Sequence, residues 1–342
     1  MKTPKDLGFV FPAEWHKHTS TWLSYPHNEN SWPGKIDTIF PYYNQFIAEL
    51  SKGELVNINV EDETMRDRVA EELMQLGVEM SKIKFHFFRT NDAWCRDHGP
   101  AFVIKANQKA IVNWDYNAWG GKYPCECDNL IPKKIADELG LEMFHPHIVM
   151  EGGSIDVNGK GTLLTTTSCL LNENRNPMLS QAEIEEKLCS YYNVDNVIWL
   201  GDGIEGDDTD GHVDDITRFV NEDTVVTVVE EDSNDANYEP LKANLNLLNK
   251  VRLQDGKQLN VVELPMPSAV VWDNMRLPAS YANFYIANKS VIVPTYRCDN
   301  DEKALCILES LFPDRKVVGI DSTDIIWGLG SFHCLSQQEP EI

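Results

Sequence analysis

Basic residues are scarce in this sequence, and their scarcity limits the partners that the protein can have. The 342 residues include 30 Lys and Arg against 54 Asp and Glu, a formal charge of −24. Nucleic acids bind through clustered Lys and Arg, so this balance excludes DNA and RNA as expected partners. Acidic proteins concentrate cations in their clefts, although many carry such charge for solubility alone. The charge therefore favours a cationic ligand.

Long apolar runs are also missing. No stretch approaches the roughly 20 apolar residues of a membrane-spanning helix. The first residues contain no apolar core of the secretory type. We therefore expect a soluble cytoplasmic protein with no membrane partner, in which the eight cysteines are reduced thiols.

The cysteine spacing does not fit a zinc site. Cys125 and Cys127 form a CxC pair, with His145 and His147 downstream. Structural zinc prefers CxxC, and a CxC pair in a strand directs its two side chains to opposite faces. No metal is expected.

Low-complexity segments and interdomain linkers are absent as well, which predicts one domain over residues 1–342. The sequence instead contains a repeat. Each copy has an apolar strand, a tight turn with an Asn, and a second apolar strand. The four hairpins are predicted at 101–114, 154–167, 217–229 and 283–296, with turn residues Asn107, Asn158, Asn221 and Asn288. Asn suits such turns because it tolerates positive φ.

A helix-period stretch follows each hairpin, and a further short strand follows the helix. The helices are predicted at 130–140, 180–192, 238–252 and 300–312, and three of the strands at 196–200, 260–264 and 316–320. The first 90 residues hold most of a fifth unit, and the segment near 330–336 is predicted to supply its missing strand. Five such ββαβ units predict an α/β propeller closed around a central channel. An α+β sandwich is the alternative.

The segment before each hairpin carries unusual side chains, and pseudo-symmetry would bring these positions into one pocket. In chain order they are Trp94 and Asp97, Glu151, His212 and Asp214, and Asn283, with Cys334 near the last residues. A Cys/His pair suggests covalent catalysis. Carboxylates around a thiol raise its pKa, and a bound guanidinium would neutralise them. Guanidinium also pairs with carboxylates in bidentate geometry and stacks on indole, which suits Trp94 and Trp119.

Seven motifs carry a resemblance to a known family. NDAWCRDHGP, YNAWGGKYP, EGGSIDV, CLLNENRNP, GDDTDGHVDD, LPASYANFYIAN and GSFHCLSQQ resemble the agmatine deiminases and the related bacterial peptidylarginine deiminases of the guanidine-modifying superfamily. The resemblance runs from about residue 9 onward and implies the five-bladed α/β-propeller (pentein) fold, with neither metal nor organic cofactor.

The resemblance also implies a role for each site residue. Cys334 is the implied nucleophile, His212 the general acid and base, and Asp97 and Asp214 the guanidinium ligands. Glu151 is implied to be a further carboxylate of the site, Trp94 and Trp119 its aromatic walls, and Asn283 an active-site amide. The implied reaction forms a covalent thiouronium on Cys334, releases ammonia, and then hydrolyses the intermediate to a ureido product.

The substrate is predicted to be agmatine, which would place the enzyme in putrescine and polyamine biosynthesis. An enzyme specific for arginine would normally meet its carboxylate with Arg, and no arginine lies between Arg96 and Arg175. A peptidylarginine deiminase, which converts arginine residues to citrulline, is the alternative. An amidinotransferase, a dimethylarginine hydrolase and a non-enzymatic pentein also stay open, and the sequence does not decide whether the chain forms a homo-oligomer.

Overall fold

The computed structural model describes residues 2–342. Its strands are β1 (His18–Ser24), β2 (Leu55–Asn59), β3 (Ile83–His86), β4 (Ala101–Lys105), β5 (Gln108–Val112), β6 (Glu142–Phe144), β7 (Asp156–Val157), β8 (Thr162–Thr166), β9 (Asn196–Leu200), β10 (Thr217–Phe219), β11 (Thr224–Val229), β12 (Asn260–Pro265), β13 (Val271–Trp272), β14 (Met275–Arg276), β15 (Tyr285–Ile286), β16 (Ser290–Thr295), β17 (Lys316–Asp321) and β18 (Ser336–Pro340). The helices are α1 (Pro4–Leu7), α2 (Ile36–Ser51), α3 (Glu63–Gln75), α4 (Cys95–His98), α5 (Ala118–Gly121), α6 (Ile131–Leu139), α7 (Thr167–Leu170), α8 (Gln181–Tyr192), α9 (Tyr238–Leu248) and α10 (Asn300–Leu311). Within residues 2–342, every helix is too short or too polar to span a lipid bilayer.

Four sheets share one connectivity, in which an antiparallel hairpin leads through a helix to a strand parallel to the hairpin's second strand. Their strand orders are β4-β5-β6, β7-β8-β9, β10-β11-β12 and β15-β16-β17. A long helical connection is the usual way to join parallel neighbours. These elements match the predicted ββαβ plan and confirm the α/β class.

The fifth sheet combines both ends of the described chain. Its order is β18-β1-β2-β3, with β18 antiparallel to β1, and β1 parallel to β2 after α2. The predicted position of the last strand, 330–336, is wrong by several residues. Residues 332–335 form a turn in which Leu335 N–H donates to Ser331 O, and the strand begins at Ser336. Its sequence, SQQEP, has no apolar alternation that could have marked it as a strand.

The turn asparagines act mainly through their side chains. In the first hairpin Ala106, and not Asn107, has the positive φ. Asn158 Oδ1 accepts from the N–H groups of Lys160 and Thr162, each at 2.9 Å. Asn therefore stabilises the turn as a hydrogen-bond acceptor as well, which is its second common use in turns.

The helices cover the sheets with one apolar face each. In α8 the buried residues are Ile184, Leu188 and Tyr192, which follow helical spacing. The helix begins with a capping box, in which Ser180 Oγ accepts from the N–H of Glu183 and Glu183 Oε2 accepts from the N–H of Ser180.

Candidate active site

Each unit contributes side chains from the segment directly before its first strand. These are Asp97 before β4, Glu151 before β7, His212 and Asp214 before β10, Asn283 before β15, and Cys334 before β18. All six lie in one buried cluster. The repeat predicted this convergence, because the segment before each hairpin occupies the same place in every unit.

Asp97 lies in α4, and its carboxylate is held from two sides. Oδ2 accepts a hydrogen bond from Trp119 Nε1 at 3.0 Å, and Oδ1 accepts from the N–H of Gly153 at 2.9 Å. A Cβ added to Gly153 would lie 2.6 Å from His212 Nδ1 and 2.9 Å from Asp97 Oδ1. Gly153 is therefore required by the close approach of these side chains.

His212 is fully buried among carboxylates. Its Nδ1 lies 3.7 Å from Asp97 Oδ1 and 3.9 Å from Asp214 Oδ1, and its Nε2 lies 3.9 Å from Glu151 Oε2. Neither ring nitrogen has a hydrogen-bond partner within the described chain. Burial acts to lower the pKa of His212, but Asp97 and the groups around Nε2 outweigh it and raise this pKa well above its ordinary value. The ring can therefore carry a proton at neutral pH.

Glu151 is also fully buried and is paired with Arg175. Arg175 Nε donates to Glu151 Oε1 at 2.5 Å, and the thiol of Cys169 lies 3.9 Å from Glu151 Oε2. Although burial acts to raise it, the nearby imidazole of His212 and the charge of Arg175 hold the pKa of Glu151 below its usual value. Glu151 is therefore an ionised neighbour of the imidazole.

Cys334 lies in the turn before β18, next to Asn283 and Asp214. Asn283 Nδ2 lies 2.9 Å from the sulfur, and Asn283 Oδ1 accepts from the N–H of Cys334 at 3.3 Å. Asp214 Oδ2 lies 3.6 Å from the sulfur, whereas Asp214 Oδ1 is buried with no hydrogen-bond partner among residues 2–342.

The electrostatic surroundings of Cys334 oppose its ionisation. Burial raises the pKa of the thiol well above its usual value, and the carboxylates of Asp214, Asp215 and Asp97 raise it further. Burial likewise raises the pKa of Asp97, helped by Asp214 and Glu151. A cation bound among these groups would reverse both effects, because it stabilises carboxylate and thiolate alike.

A cavity of about 200 Å³ leads to the cluster. Four of the eight predicted site residues line it, namely Trp94, Asp97, Trp119 and Cys334. The other four, Glu151, His212, Asp214 and Asn283, lie behind these walls. Trp94 stacks on Trp32 with ring centroids 5.4 Å apart, which fixes one wall.

The hairpin β13–β14 adds a second part of the wall that the sequence did not predict. It places Trp272 and Met275 against the cavity. Trp272 packs against Trp327 with centroids 4.5 Å apart. Its turn residues, Asp273 and Asn274, both have positive φ, as a two-residue hairpin requires.

Several groups could in principle ligate a metal among residues 2–342. Glu151 groups with Cys169 and His212, and Asp214 with Asp215 and Cys334. Both sets lie inside the cluster described above and already engage protein hydrogen-bond donors. A third, partly exposed group is Asp115, His145 and His147. Cys125 and Cys127 lie outside it.

Comparison with known proteins gives matches over nearly the whole chain. A family model for Porphyromonas-type peptidyl-arginine deiminase matches residues 10–340. The agmatine deiminase of Ectopseudomonas mendocina is 36% identical over 366 residues, covering 99% of this chain and 97% of that protein. The structure of the agmatine deiminase of Enterococcus faecalis has a TM-score of 0.93 at 34% identity and covers 100% of this chain and 98% of that one. A C. jejuni agmatine deiminase with substrate bound gives a TM-score of 0.89 at 32% identity, with 97% and 96% covered.

Proposed function

The chain belongs to the Porphyromonas-type peptidyl-arginine deiminase family, and we propose that its substrate is agmatine. It is a hydrolase that acts on C–N bonds of linear amidines. The proposed reaction converts agmatine and water to N-carbamoylputrescine and ammonia, a step of putrescine synthesis. The named relatives, which are agmatine deiminases, support this substrate.

The observation that carries the proposal is a buried thiol surrounded by carboxylates. Asp97, Asp214 and Asp215 all raise the pKa of Cys334, so an anionic or neutral substrate would find a protonated, weak nucleophile. A guanidinium supplies the missing positive charge and forms bidentate hydrogen bonds with carboxylates. The unpartnered Oδ1 of Asp214 is available to accept one of these bonds.

The first half of the proposed mechanism forms the covalent intermediate. Asp97 and Asp214 hold the guanidinium so that its central carbon faces the sulfur, and the Cys334 thiolate forms a C–S bond to that carbon. His212 Nδ1, which lies between the two aspartates, donates a proton to the departing nitrogen. The C–N bond breaks and ammonia leaves, which gives a thiouronium on Cys334.

The second half hydrolyses that intermediate. Water loses a proton to His212 as its oxygen bonds to the same carbon. The C–S bond then breaks to release thiolate, and the hydroxyl loses its proton to solvent as it becomes the carbonyl of the ureido product. Glu151, on the Nε2 side of the ring, stabilises the imidazolium in both halves. Fixed placement of these groups supplies much of the rate, since a misplacement of about 1 Å can cost about 100-fold.

The cavity wall favours an ammonium at the far end of the substrate. Among the described residues that line it, none is Lys, Arg or His, whereas Asp92 and Asp208 are acidic and Trp272 and Trp327 are aromatic. Such a wall attracts a cation and offers no partner for the carboxylate of arginine. A cavity of about 200 Å³ also suits a ligand smaller than the drug-sized molecules that occupy roughly 300–1,000 Å³.

Peptidylarginine deimination is the second candidate, favoured by the description of the matching family model. The backbone around a peptidyl arginine is uncharged, so the lack of a basic wall does not argue against it. The small volume of the cavity, about 200 Å³, favours a small substrate over a polypeptide.

We infer in addition that the five units form one domain over residues 1–342, arranged as a five-bladed ring. Contacts between units support this arrangement. Asn158 Nδ2 donates to Glu222 O in the next hairpin, and Asn288 Nδ2 donates to His18 O in the fifth sheet. Within that sheet, the pairing of β18 with β1 joins the two ends of the described chain.

Ammonia release from a panel of guanidines tests the function. We expect agmatine to be turned over with the highest kcat/KM, ahead of arginine, methylated arginine and a peptidyl arginine, and clearly faster turnover of arginine would overturn the substrate. Cys334→Ala should lose at least about 1,000-fold in kcat because no other group can form the intermediate. Cys306→Ala, at an exposed thiol, is the matched control and should keep wild-type activity.

A further inference from the structure

The imidazole of His333, the residue before Cys334, is held between two buried carboxylates. Its Nδ1 lies 2.6 Å from Asp214 Oδ2, and its Nε2 lies 2.8 Å from Glu14 Oε2. Each ring nitrogen is therefore within hydrogen-bond distance of a carboxylate oxygen. His333 connects Glu14 to Asp214, a residue of the site, through a buried ring.

The two carboxylate oxygens of Asp214 have different surroundings, because only one of them contacts His333. Oδ2 contacts the imidazole of His333, whereas Oδ1 is buried, unpartnered within residues 2–342, and 3.9 Å from His212 Nδ1. The ring itself cannot turn away, because the N–H of His333 donates to Asn283 Oδ1 at 3.1 Å and its other nitrogen is bound to Glu14.

Glu14 connects His333 to the segments that carry the other site residues. Its Oε1 accepts from Arg218 Nη2 at 3.0 Å and from the N–H of Ile286 at 2.8 Å. Its Oε2 accepts from His333 and from Arg96 Nη2 at 3.2 Å. Burial acts to raise the pKa of Glu14, but Arg218, His333 and Arg96 hold it well below its usual value. Each of these partners lies within four residues of a site residue in the chain.

We propose that His333, anchored by Glu14, is a positioning residue that aims Oδ1 of Asp214 at the guanidinium and keeps Asp214 ionised beside the thiolate. The proposal deepens the proposed function, because it needs a guanidinium in the site. It concerns Asp214 and leaves the chemistry of Cys334 and His212 as described.

Six titratable or charged groups face Asp214, three of them acidic and three basic. The titratable and charged groups around it are His333 and Cys334 before β18, His212 and Asp215 in its own segment, Asp97 in α4, and Arg218 in β10. Burial acts to raise the pKa of Asp214, and hydrogen bonding to His333, followed by the charges of His333 and His212, holds it below its usual value. Removing His333 removes the largest opposing contribution, so the pKa of Asp214 must rise.

The test is the pH profile of kcat/KM for His333→Asn, which keeps an amide donor near the position of Nδ1 and removes the contact of the ring with Glu14. We expect the acidic limb of the profile to move to higher pH, because protonated Asp214 cannot bind a cation. At pH 6, kcat/KM should fall by about tenfold for each unit by which the pKa of Asp214 exceeds 6. At alkaline pH, kcat should stay within a few-fold of wild type. His333→Gln, which reaches towards Glu14 instead, should show the same shift.

The control is His145→Asn, which removes a histidine–aspartate contact of the same kind, with His145 Nε2 2.7 Å from Asp115 Oδ1, outside the site. Its profile should match wild type. A uniform loss in the His333 variants at every pH, with the acidic limb unmoved, would mean a purely structural role and overturn the proposal.

Different measurements test the positioning role of His333 and the proposed function. If the wild-type chain turns over no guanidine of the panel, the proposed function is wrong. The positioning role of His333 is then tested by measuring how well guanidinium chloride protects Cys334 from modification by chloroacetamide, in wild type and in the His333 variants. Weaker protection of the variants at pH 6 than at pH 8, beside constant protection of wild type, supports the positioning role. Equal pH dependence in both contradicts it.

Discussion

Among single residues, Asp97 and Asp214 are held in different ways although both are fully buried. Asp97 accepts from the neutral donors Trp119 Nε1 and Gly153 N–H, and burial raises its pKa. Asp214 contacts the imidazole of His333, and despite burial this hydrogen bond holds the pKa of Asp214 below its usual value. The ionisation of Asp97 therefore depends more strongly on an incoming cation. Asp214 is ionised before the cation binds.

Gly153→Ala should abolish activity. The new Cβ would lie 2.6 Å from His212 Nδ1, 2.9 Å from Asp97 Oδ1 and 3.0 Å from Asp214 Oδ2, so three site residues must move apart. A displacement of about 1 Å predicts a loss of about 100-fold or more in kcat. Steady-state kinetics with agmatine measure it, beside thermal unfolding as a check of folding.

Gly201→Ala is the matched control, because its Cβ would meet only Asn244 Oδ1 at 3.4 Å, an ordinary contact. It should leave kcat unchanged. Equal kinetics for the two variants would show that the close approach at Gly153 has no part in catalysis.

The eight site residues predicted from the sequence do not include the buried residues that hold them in place. Glu14, Arg175 and His333 act only through contacts with side chains far along the chain, such as the 2.5 Å pair of Arg175 with Glu151. Repeat spacing cannot reveal them, because they do not occupy equivalent positions in the units. Membership of Arg175 and His333 in the quoted motifs was their only signal.

Among the elements, the β13–β14 hairpin is the one that stands outside the ββαβ plan. It lies between β12 and β15 and brings Trp272 and Met275 to the cavity. A sheet of two short strands has little stability of its own, and contact with Trp327 holds it in place. The hairpin therefore forms one side of the cavity wall.

Trp272→Ala should relax the choice of substrate. Removing the indole widens the cavity and weakens the packing against Trp327, so we expect KM for agmatine to rise about tenfold, since a lost aromatic contact is worth about 1–2 kcal/mol. Relative turnover of a peptidyl arginine should increase. The panel of guanidines measures both changes.

Val271→Ala provides the control on the same hairpin, because Val271 is 60% exposed and does not line the cavity. Unchanged selectivity in both variants would contradict a role of the hairpin in substrate choice.

Strand prediction succeeded where strands are apolar and failed at β18. Hairpins such as β4–β5 and β10–β11 bury continuous Val and Ile runs, and their positions agree with the sequence prediction. β18 is buried through polar side chains: Gln337 donates to Pro100 O, and Glu339 accepts from Trp22 Nε1. A hydropathy pattern does not reveal a strand whose buried side chains are polar and hydrogen-bonded.

For the whole molecule, the charge of −24 has two parts. Asp97, Glu151 and Asp214 lie at the centre, fully buried, while the majority of the other acidic residues are at least partly exposed. The exposed acids create a negative field around the protein that extends about one Debye length, roughly 8 Å at physiological salt. This field attracts cations before any of them reaches the cavity.

Raising the ionic strength should therefore lower kcat/KM for agmatine. We expect a decrease of a few-fold between low salt and 0.5 M NaCl, with kcat little changed, because screening weakens the capture of a dication and leaves the buried site alone. Arginine, with a lower net charge, is the comparison substrate and should respond less. An increase of kcat/KM with salt would contradict the prediction.

The pairing of β1 with β18 also has a consequence for how the protein is made. His18 pairs with Pro340, so the contact joins residues 340 − 18 = 322 positions apart, and contacts of such separation form late because of their loop-closure entropy. Cys334 lies in the turn directly before this last strand. A chain still on the ribosome has neither Cys334 held beside the other site residues nor the edge of β1 covered by β18. Activity in a cell therefore reports only chains translated beyond residue 340, and unpaired β1 is the edge that a chaperone would have to shield until then.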